Sequence, residues 1–260
     1  MIIENAPKFI GLLYAVLVII IISILLHKEK FSFKSGFFFL LLSTLLGFLF
    51  FSPMMPISFQ LLILRDTAAL GSPLLMAVLG LVLILLLTFV FGRIFCGYVC
   101  PIGTIQELFS RIPIKQKKIK QKKAIMGVHL LLFVLFIALG LIFSINMLSY
   151  LGISAFFNLD LSSVFFAVFV GLLIASVFIY RPFCRFICPY GLLLSLASKK
   201  SIFALKRNNN CVDCALCEKN CPTDEAARKD FKQECYVCMR CDDVCSKNAV
   251  FYAKRKKLGE

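Results

Sequence analysis

Apolar positions in this chain fall into long blocks separated by short polar breaks. Stretches long enough to cross a bilayer as helices, roughly 20 residues each, extend from about Phe9 to Leu26, Gly36 to Phe51, Pro73 to Phe91, Ala124 to Ile145 and Leu161 to Tyr180. The pattern predicts an all-α membrane bundle of about five transmembrane helices. The second run is the shortest. The linker after it, 52–72, contains ISFQLLIL and reads as re-entrant or interfacial.

The polar breaks set the orientation. Lys28, Lys30 and Lys34 follow the first run, and Arg93, Arg111, Lys115, Lys117, Lys118, Lys120, Lys122 and Lys123 lie between the third and fourth. Basic loops face the cytoplasm. The other two connections offer only Arg65 beside Asp66, and Asp160. This alternation predicts a multi-pass protein of a prokaryotic cytoplasmic membrane, with its N-terminus outside and everything after Tyr180 inside. The first run lacks a basic leader and a small-residue cleavage site, so it reads as an anchor and not a cleaved signal. Composition agrees: 60% hydrophobic residues, a mean hydropathy of +0.90 and a formal charge of +15 over 260 residues exclude an ordinary soluble domain.

All twelve cysteines belong to two patterns. The C-terminal one reads Cys211-x2-Cys214-x2-Cys217-x3-Cys221-Pro222 and repeats as Cys235-x2-Cys238-x2-Cys241-x3-Cys245. In this spacing three thiolates of one run hold a cubane cluster and the fourth cysteine reaches across to the other. The expected ligands are Cys211, Cys214, Cys217 and Cys245 for one [4Fe-4S] cluster, and Cys235, Cys238, Cys241 and Cys221 for the other. Disulfides need an oxidising compartment, and zinc has no use for this rhythm. Ser246 stands where the pattern has proline, which bears on the loop around Cys245. The segment resembles bacterial two-cluster ferredoxins; the resemblance implies two short pseudo-symmetric halves with little regular structure, passing electrons one at a time.

The second pattern is a sentence written twice, RIFCGYVCPIG from Arg93 and RPFCRFICPYG from Arg181. Cys96 and Cys100, like Cys184 and Cys188, are spaced to share one helix face. Pro101 and Pro189 disfavour helix at the preceding cysteine, and Gly103 and Gly191 are expected to turn the chain, so each motif marks a helix end at the cytoplasmic interface. Spans two and three then match spans four and five as a parallel repeat about an axis along the membrane normal, which brings the cysteine pairs face to face. Three readings stand: a shared metal or iron–sulfur centre, reversible thiol–disulfide chemistry, or cysteines as small packing residues.

Other residues carry weaker signals. Arg93 and Arg181 either tune a thiolate-bound centre or snorkel to headgroups. His27 and His129 read as interfacial residues or a quinone hydrogen bond, and no CxxCH motif attaches haem. The stretches Gly103 to Ile114, which includes Glu107, and Leu192 to Leu205 suit short amphipathic helices on the inner membrane surface. The lysines at 115–123 and 254–257 fit anionic inner-membrane lipid or the steering of an acidic partner. No nucleic-acid partner is expected.

Taken together, these spans, the two CxxxCP motifs and the C-terminal cluster motifs resemble the NapH/MauN/NosR/CcoG superfamily of membrane-bound ferredoxin-type proteins, over about Pro73 to Val250. No segment is long enough for the large flavin domain of NosR-type members, and the chain stops too soon for the extra domain of CcoG-type members, so its shape is nearest the NapH type, a quinol dehydrogenase component. The resemblance implies two units, a transmembrane domain over 1–205 and a cytoplasmic ferredoxin-type domain over 206–260. It implies electron relay between the quinone pool and a partner iron–sulfur or flavoprotein subunit, as part of a quinol-linked oxidoreductase complex with no catalytic residue assigned. The alternatives are an accessory protein that reduces a metal ion or disulfide on a client, and a redox sensor.

Overall fold

The computed structural model of the chain describes residues 2–50, 55–65, 74–114, 116–119, 121–228 and 230–255. Lys115, Lys120, Lys256 and Lys257, and the stretches 51–54 and 66–73, lie outside the described residues. Where no water is at hand, backbone N–H and C=O groups must pair within their own segment, which makes long apolar runs helical. Helices α1 (Ile2–His27), α4 (Leu74–Phe91) and α6 (Lys122–Phe143) are long and apolar enough to cross a membrane. Helices α2 (Phe33–Phe50) and α9 (Val164–Phe178) are apolar but shorter. On α1, Leu13, Leu17, Ile20 and Ile24 are exposed while Ala15, Val18, Ile19 and Ile22 are buried. One apolar face packs on protein, and an equally apolar face is left for lipid.

The ISFQLLIL linker is a helix, α3 (Met55–Leu64), packed into the bundle. Phe59 meets Phe133, Phe136 and Tyr190, and Gln60 donates to the Ile145 carbonyl at 3.3 Å while accepting from the Leu148 N–H at 3.0 Å. Two short helices, α7 (Met147–Tyr150) and α8 (Ile153–Phe157), lead from α6 to α9.

After α4 the chain makes a π-helical turn, Phe95–Val99, in which the Cys100 N–H donates to the Phe95 carbonyl at 2.9 Å. Cys100 is then extended (φ −67°, ψ 118°), and α5 (Pro101–Ser110) begins with proline in its first position. The second copy repeats every step: a π turn at Phe183–Ile187, extended Cys188 (φ −64°, ψ 111°) and α10 (Pro189–Lys199). Proline has no N–H to lose at a helix start, and it drives its predecessor to extended geometry. Each motif therefore breaks one helix and starts another. Gly103 and Gly191 do not turn the chain as expected. They lie in the first turn of the new helix, where a Cβ would press on the carbonyl of Cys96 or Cys184.

Helix α5 is buried between α2 and α9, while α10 lies against α4 and α6, so neither rests on the membrane surface as its amphipathic pattern suggested. The C-terminal segment contains strands β1 (Phe203–Arg207) and β2 (Val250–Lys254), paired antiparallel with Leu205 opposite Tyr252. Between them lie α11 (Leu216–Asn220) and α12 (Arg240–Asp243). The Tyr252 hydroxyl donates to the Phe91 carbonyl at 2.8 Å, fastening this sheet to the end of α4.

Small residues let membrane helices approach closely. A Cβ on Gly47 of α2 would overlap Pro101 and Phe157, whereas one on Gly127 of α6 meets nothing within 4 Å. Gly47→Val is expected to destabilise the detergent-solubilised protein by about 1–3 kcal/mol through overpacking, and Gly127→Ala to leave its thermal unfolding midpoint unchanged or higher.

Candidate redox site

Two cysteine-lined cavities sit side by side in the C-terminal segment. One is lined by Cys211, Cys214, Cys217 and Cys245, the other by Cys221, Cys235, Cys238 and Cys241, with Cys217 on the wall between them. Each half crosses over to lend one cysteine to the other. The backbone is prepared for an anion in the same way in both halves: Asp213, Ala215 and Asp224 have positive φ, and so do their counterparts Val237, Met239 and Asn248. Alternating handedness turns successive N–H groups inward into an anion-binding nest. For a β-branched residue such as Val237, φ of +55° is a strained state of the kind held at functional sites. The Glu225 N–H donates to Cys221 Sγ at 3.2 Å, and the Ala249 N–H to Cys245 Sγ at 3.3 Å. Ser246 thus leaves the loop shape intact.

A third cavity is lined by all four cysteines of the repeated motif, with Phe95, Phe183, Tyr190, Gly191 and Leu194. The four thiols are only 5–6% exposed. Burial pushes the Cys184 thiol up to about 12, even with Arg181 and Arg93 nearby. Cys188 Sγ accepts from the Gly191 N–H at 3.2 Å, and Gln106 Nε2 lies 3.7 Å from Cys184 Sγ. Among the described residues no three histidine, cysteine or carboxylate side chains converge on one bare metal ion. The cysteines of each cavity surround a volume, not a point.

Between this cavity and the C-terminal segment lies a buried lattice of charge. Arg93, Arg181 and Arg185 are 0–2% exposed, so none of them snorkels. Arg181 Nε donates to Glu107 Oε2 at 3.1 Å, and its two terminal nitrogens donate to the carbonyls of Cys96 and Gly97. Arg240 reaches the other Glu107 oxygen at 3.0 Å, and Arg111 lies 3.6 Å away. Burial alone would raise the Glu107 carboxyl, but Arg181, Arg240 and Arg111 outweigh it and hold it below the usual carboxylate range. Glu234 pairs with Arg185 at 2.8 Å and with Arg93 at 3.6 Å. The guanidinium carbons of Arg93 and Arg181 lie over the Tyr236 ring, 4.3 and 4.6 Å from its centre.

Sequence reasoning found both arginines of the repeat but missed Glu234, Tyr236, Arg185, Arg240 and Gln106. The available signal was QECYVC, which sets an acid and an aromatic on either side of a cluster-motif cysteine. His129 is buried with Nε2 2.8 Å from the Cys188 carbonyl oxygen, whereas His27 is exposed at the end of α1. Within the lysine run, Lys118 donates to carbonyls at the end of α11, and Lys122 pairs with Asp230 at 2.8 Å. These two hold the C-terminal segment and not lipid.

An apolar helical bundle whose cysteines gather into nested cavities is the architecture of a membrane-bound iron–sulfur protein, and comparison with known proteins agrees. A family model described as a 4Fe-4S binding domain matches the chain twice, over residues 73–120 and 162–209, the two stretches that carry the CxxxCP copies. An uncharacterized protein of Methanocaldococcus jannaschii is 35% identical over 188 residues, covering 66% of this chain and 77% of that protein. The ferredoxin-type protein NapH of Haemophilus influenzae is 26% identical over 220 residues, 77% of this chain and 76% of NapH. The regulatory protein NosR of Pseudomonas aeruginosa is 29% identical over 168 residues, 58% of this chain but only 23% of NosR. No solved structure matches. The chain belongs to the NapH/NosR-type family of ferredoxin-type membrane proteins, and is an iron–sulfur electron-transfer protein.

Glu107 is the only carboxylate in contact with Arg181 and Arg240 among the described salt bridges. Glu107→Gln keeps the shape and strands those guanidiniums, which is expected to cost about 3–5 kcal/mol and to appear as a sharp fall in folded yield and thermal midpoint. Lys122→Gln, in the partly exposed pair with Asp230, should stay within about 1 kcal/mol of the parent.

Proposed function

We propose that the protein carries single electrons between the membrane quinone pool and a partner iron–sulfur or flavoprotein subunit. In this reading α1, α2, α4, α6 and α9 are five spans, with the N-terminus outside and the C-terminal segment in the cytoplasm. The two halves of the bundle form a parallel repeat. The chain divides by composition into a transmembrane unit, 1–205, and a ferredoxin-type unit, 206–260, although β1 straddles the division. Cys211, Cys214, Cys217 and Cys245 hold one [4Fe-4S] cluster, and Cys235, Cys238, Cys241 and Cys221 the second. Cys96, Cys100, Cys184 and Cys188 hold a third iron–sulfur centre at the cytoplasmic end of the bundle. Such centres supply one-electron storage when bound.

The observation that carries this reading is the charge lattice. A guanidinium stays protonated, and an unpaired buried charge is severely costly. Among the described residues the carboxylates paired with Arg93, Arg181, Arg185 and Arg240 are Glu107 and Glu234, which leaves positive charge in excess beside the cysteines. Metal-bound thiolates would balance it, because coordination deprotonates a thiol outright. Packing thiols or a disulfide, both neutral, would not. The alternative of an accessory reductase needs reachable thiols, and these four are buried.

The reading is tested by iron and acid-labile sulfide per chain on anaerobically purified protein, beside a variant with Cys96, Cys100, Cys184 and Cys188 all changed to Ser. At four irons per cubane, the parent should hold on the order of twelve and the variant about eight. About eight in both would remove the third centre. A quinol analogue should change the redox state of the clusters in the parent; clusters that ignore it would overturn the quinone assignment.

A further inference from the structure

The two copies of the repeated motif differ where the C-terminal segment touches them. Gly97 and Tyr98 in the first copy correspond to Arg185 and Phe186 in the second. A Cβ on Gly97 would lie 2.5 Å from the Tyr236 carbonyl oxygen, so the two backbones are in direct contact there. The Tyr98 hydroxyl donates to the Val237 carbonyl at 3.0 Å. Phe186 has no hydroxyl to offer, and Arg185 instead pairs with Glu234 at 2.8 Å. One copy admits the Cys235–Cys238 loop and the other anchors it.

We propose that the backbone contact between Gly97 and Tyr236 is the electron-exchange junction between the centre held by the repeated motif and the cluster held by Cys235 and its partners. The inference rests on the three-centre reading above. Gly97 adjoins Cys96, and Tyr236 adjoins Cys235, so one short gap separates the covalent paths from two ligand cysteines. Arg93 and Arg181, 4.3 and 4.6 Å from the Tyr236 ring centre, pack against the ring beside that gap. In the step itself one electron leaves one centre and arrives at the other; no bond forms or breaks and no proton moves. Gly97 and Tyr98 are positioning residues for this step.

The test uses the complete, cluster-loaded chain with Gly97→Ala, Tyr98→Phe and, as control, Gly171→Ala, where a Cβ meets nothing within 4 Å. Three quantities are read: iron per chain, the magnetic interaction between reduced centres by electron paramagnetic resonance, and the rate at which reducing equivalents spread among the centres after rapid mixing with dithionite. Gly97→Ala should keep the iron of the parent, weaken the interaction and slow the spreading several-fold. Tyr98→Phe should move both in the same direction by less, and it decides the matter if Gly97→Ala loses its clusters. Either variant with full iron and unaltered interaction and rate overturns the junction. A parent chain with only about eight irons overturns the three-centre reading instead, and the junction falls with it.

Discussion

A guanidinium keeps its proton in any environment a protein provides, so Arg93, Arg181 and Arg185, buried where the bundle meets the C-terminal segment, impose positive charge that their surroundings must answer. Two glutamates answer part of it, one from each side of the structure. Glu107 comes from the first helix after a CxxxCP motif, and Glu234 from the C-terminal segment. The pairs of Glu234 with Arg93 and Arg185, and of Arg240 with Glu107, form only when bundle and segment are docked, which makes the docking a condition of stability and not an accident of proximity. Surface ion pairs would not have this authority, because water answers an exposed charge almost as well as a partner does.

The lattice explains why the C-terminal segment, poor in regular structure, holds a defined position. Its regular structure is two short strands and two single-turn helices. Its fixity comes from outside: Tyr252 on the end of α4, Tyr98 on Val237, Glu234 on Arg93 and Arg185, Lys118 from the loop before α6 and Lys122 from its first turn. The order of cavities follows. Cys214 is exposed at the outer end, Cys217 stands between the two C-terminal cavities, and Tyr236 separates the inner one from the four buried cysteines.

Much of this was legible in the sequence, and the failures share a cause. Cysteine spacing anticipated which cysteines line each C-terminal cavity, because the shape of a short loop is a local property. The duplicated RxFC and CPxG gave two matching helix breaks, because proline acts on its immediate neighbour. The positions of α5 and α10 were misread: amphipathic spacing says that a helix has one apolar face, and it does not say whether the polar face meets water or buried arginine. Glu107 looked like a surface acid for that reason. Glu234 and Tyr236 were overlooked because their importance is a matter of contact with residues far away in the chain, such as Arg93 and Arg185, which no periodicity records.

The two copies of the repeat also divide their labour. Strict two-fold symmetry would give Arg93 an acid on α10 to match the Glu107 that Arg181 finds on α5. The position that matches Glu107 is Ser195, which accepts from Gln233, and the acid for Arg93 comes from the C-terminal segment. The second copy of the motif is thus followed by no carboxylate at the matching position, and Glu234 supplies the acid for Arg93. A missing charge in a symmetric site is a specific demand, since only a partner that brings an acid to that point removes the desolvation cost. The difference between the two motif copies at Gly97, Tyr98 and Ser195 is therefore what fits this end of the bundle to one particular loop, with the cysteine between Glu234 and Tyr236 delivered to a single place.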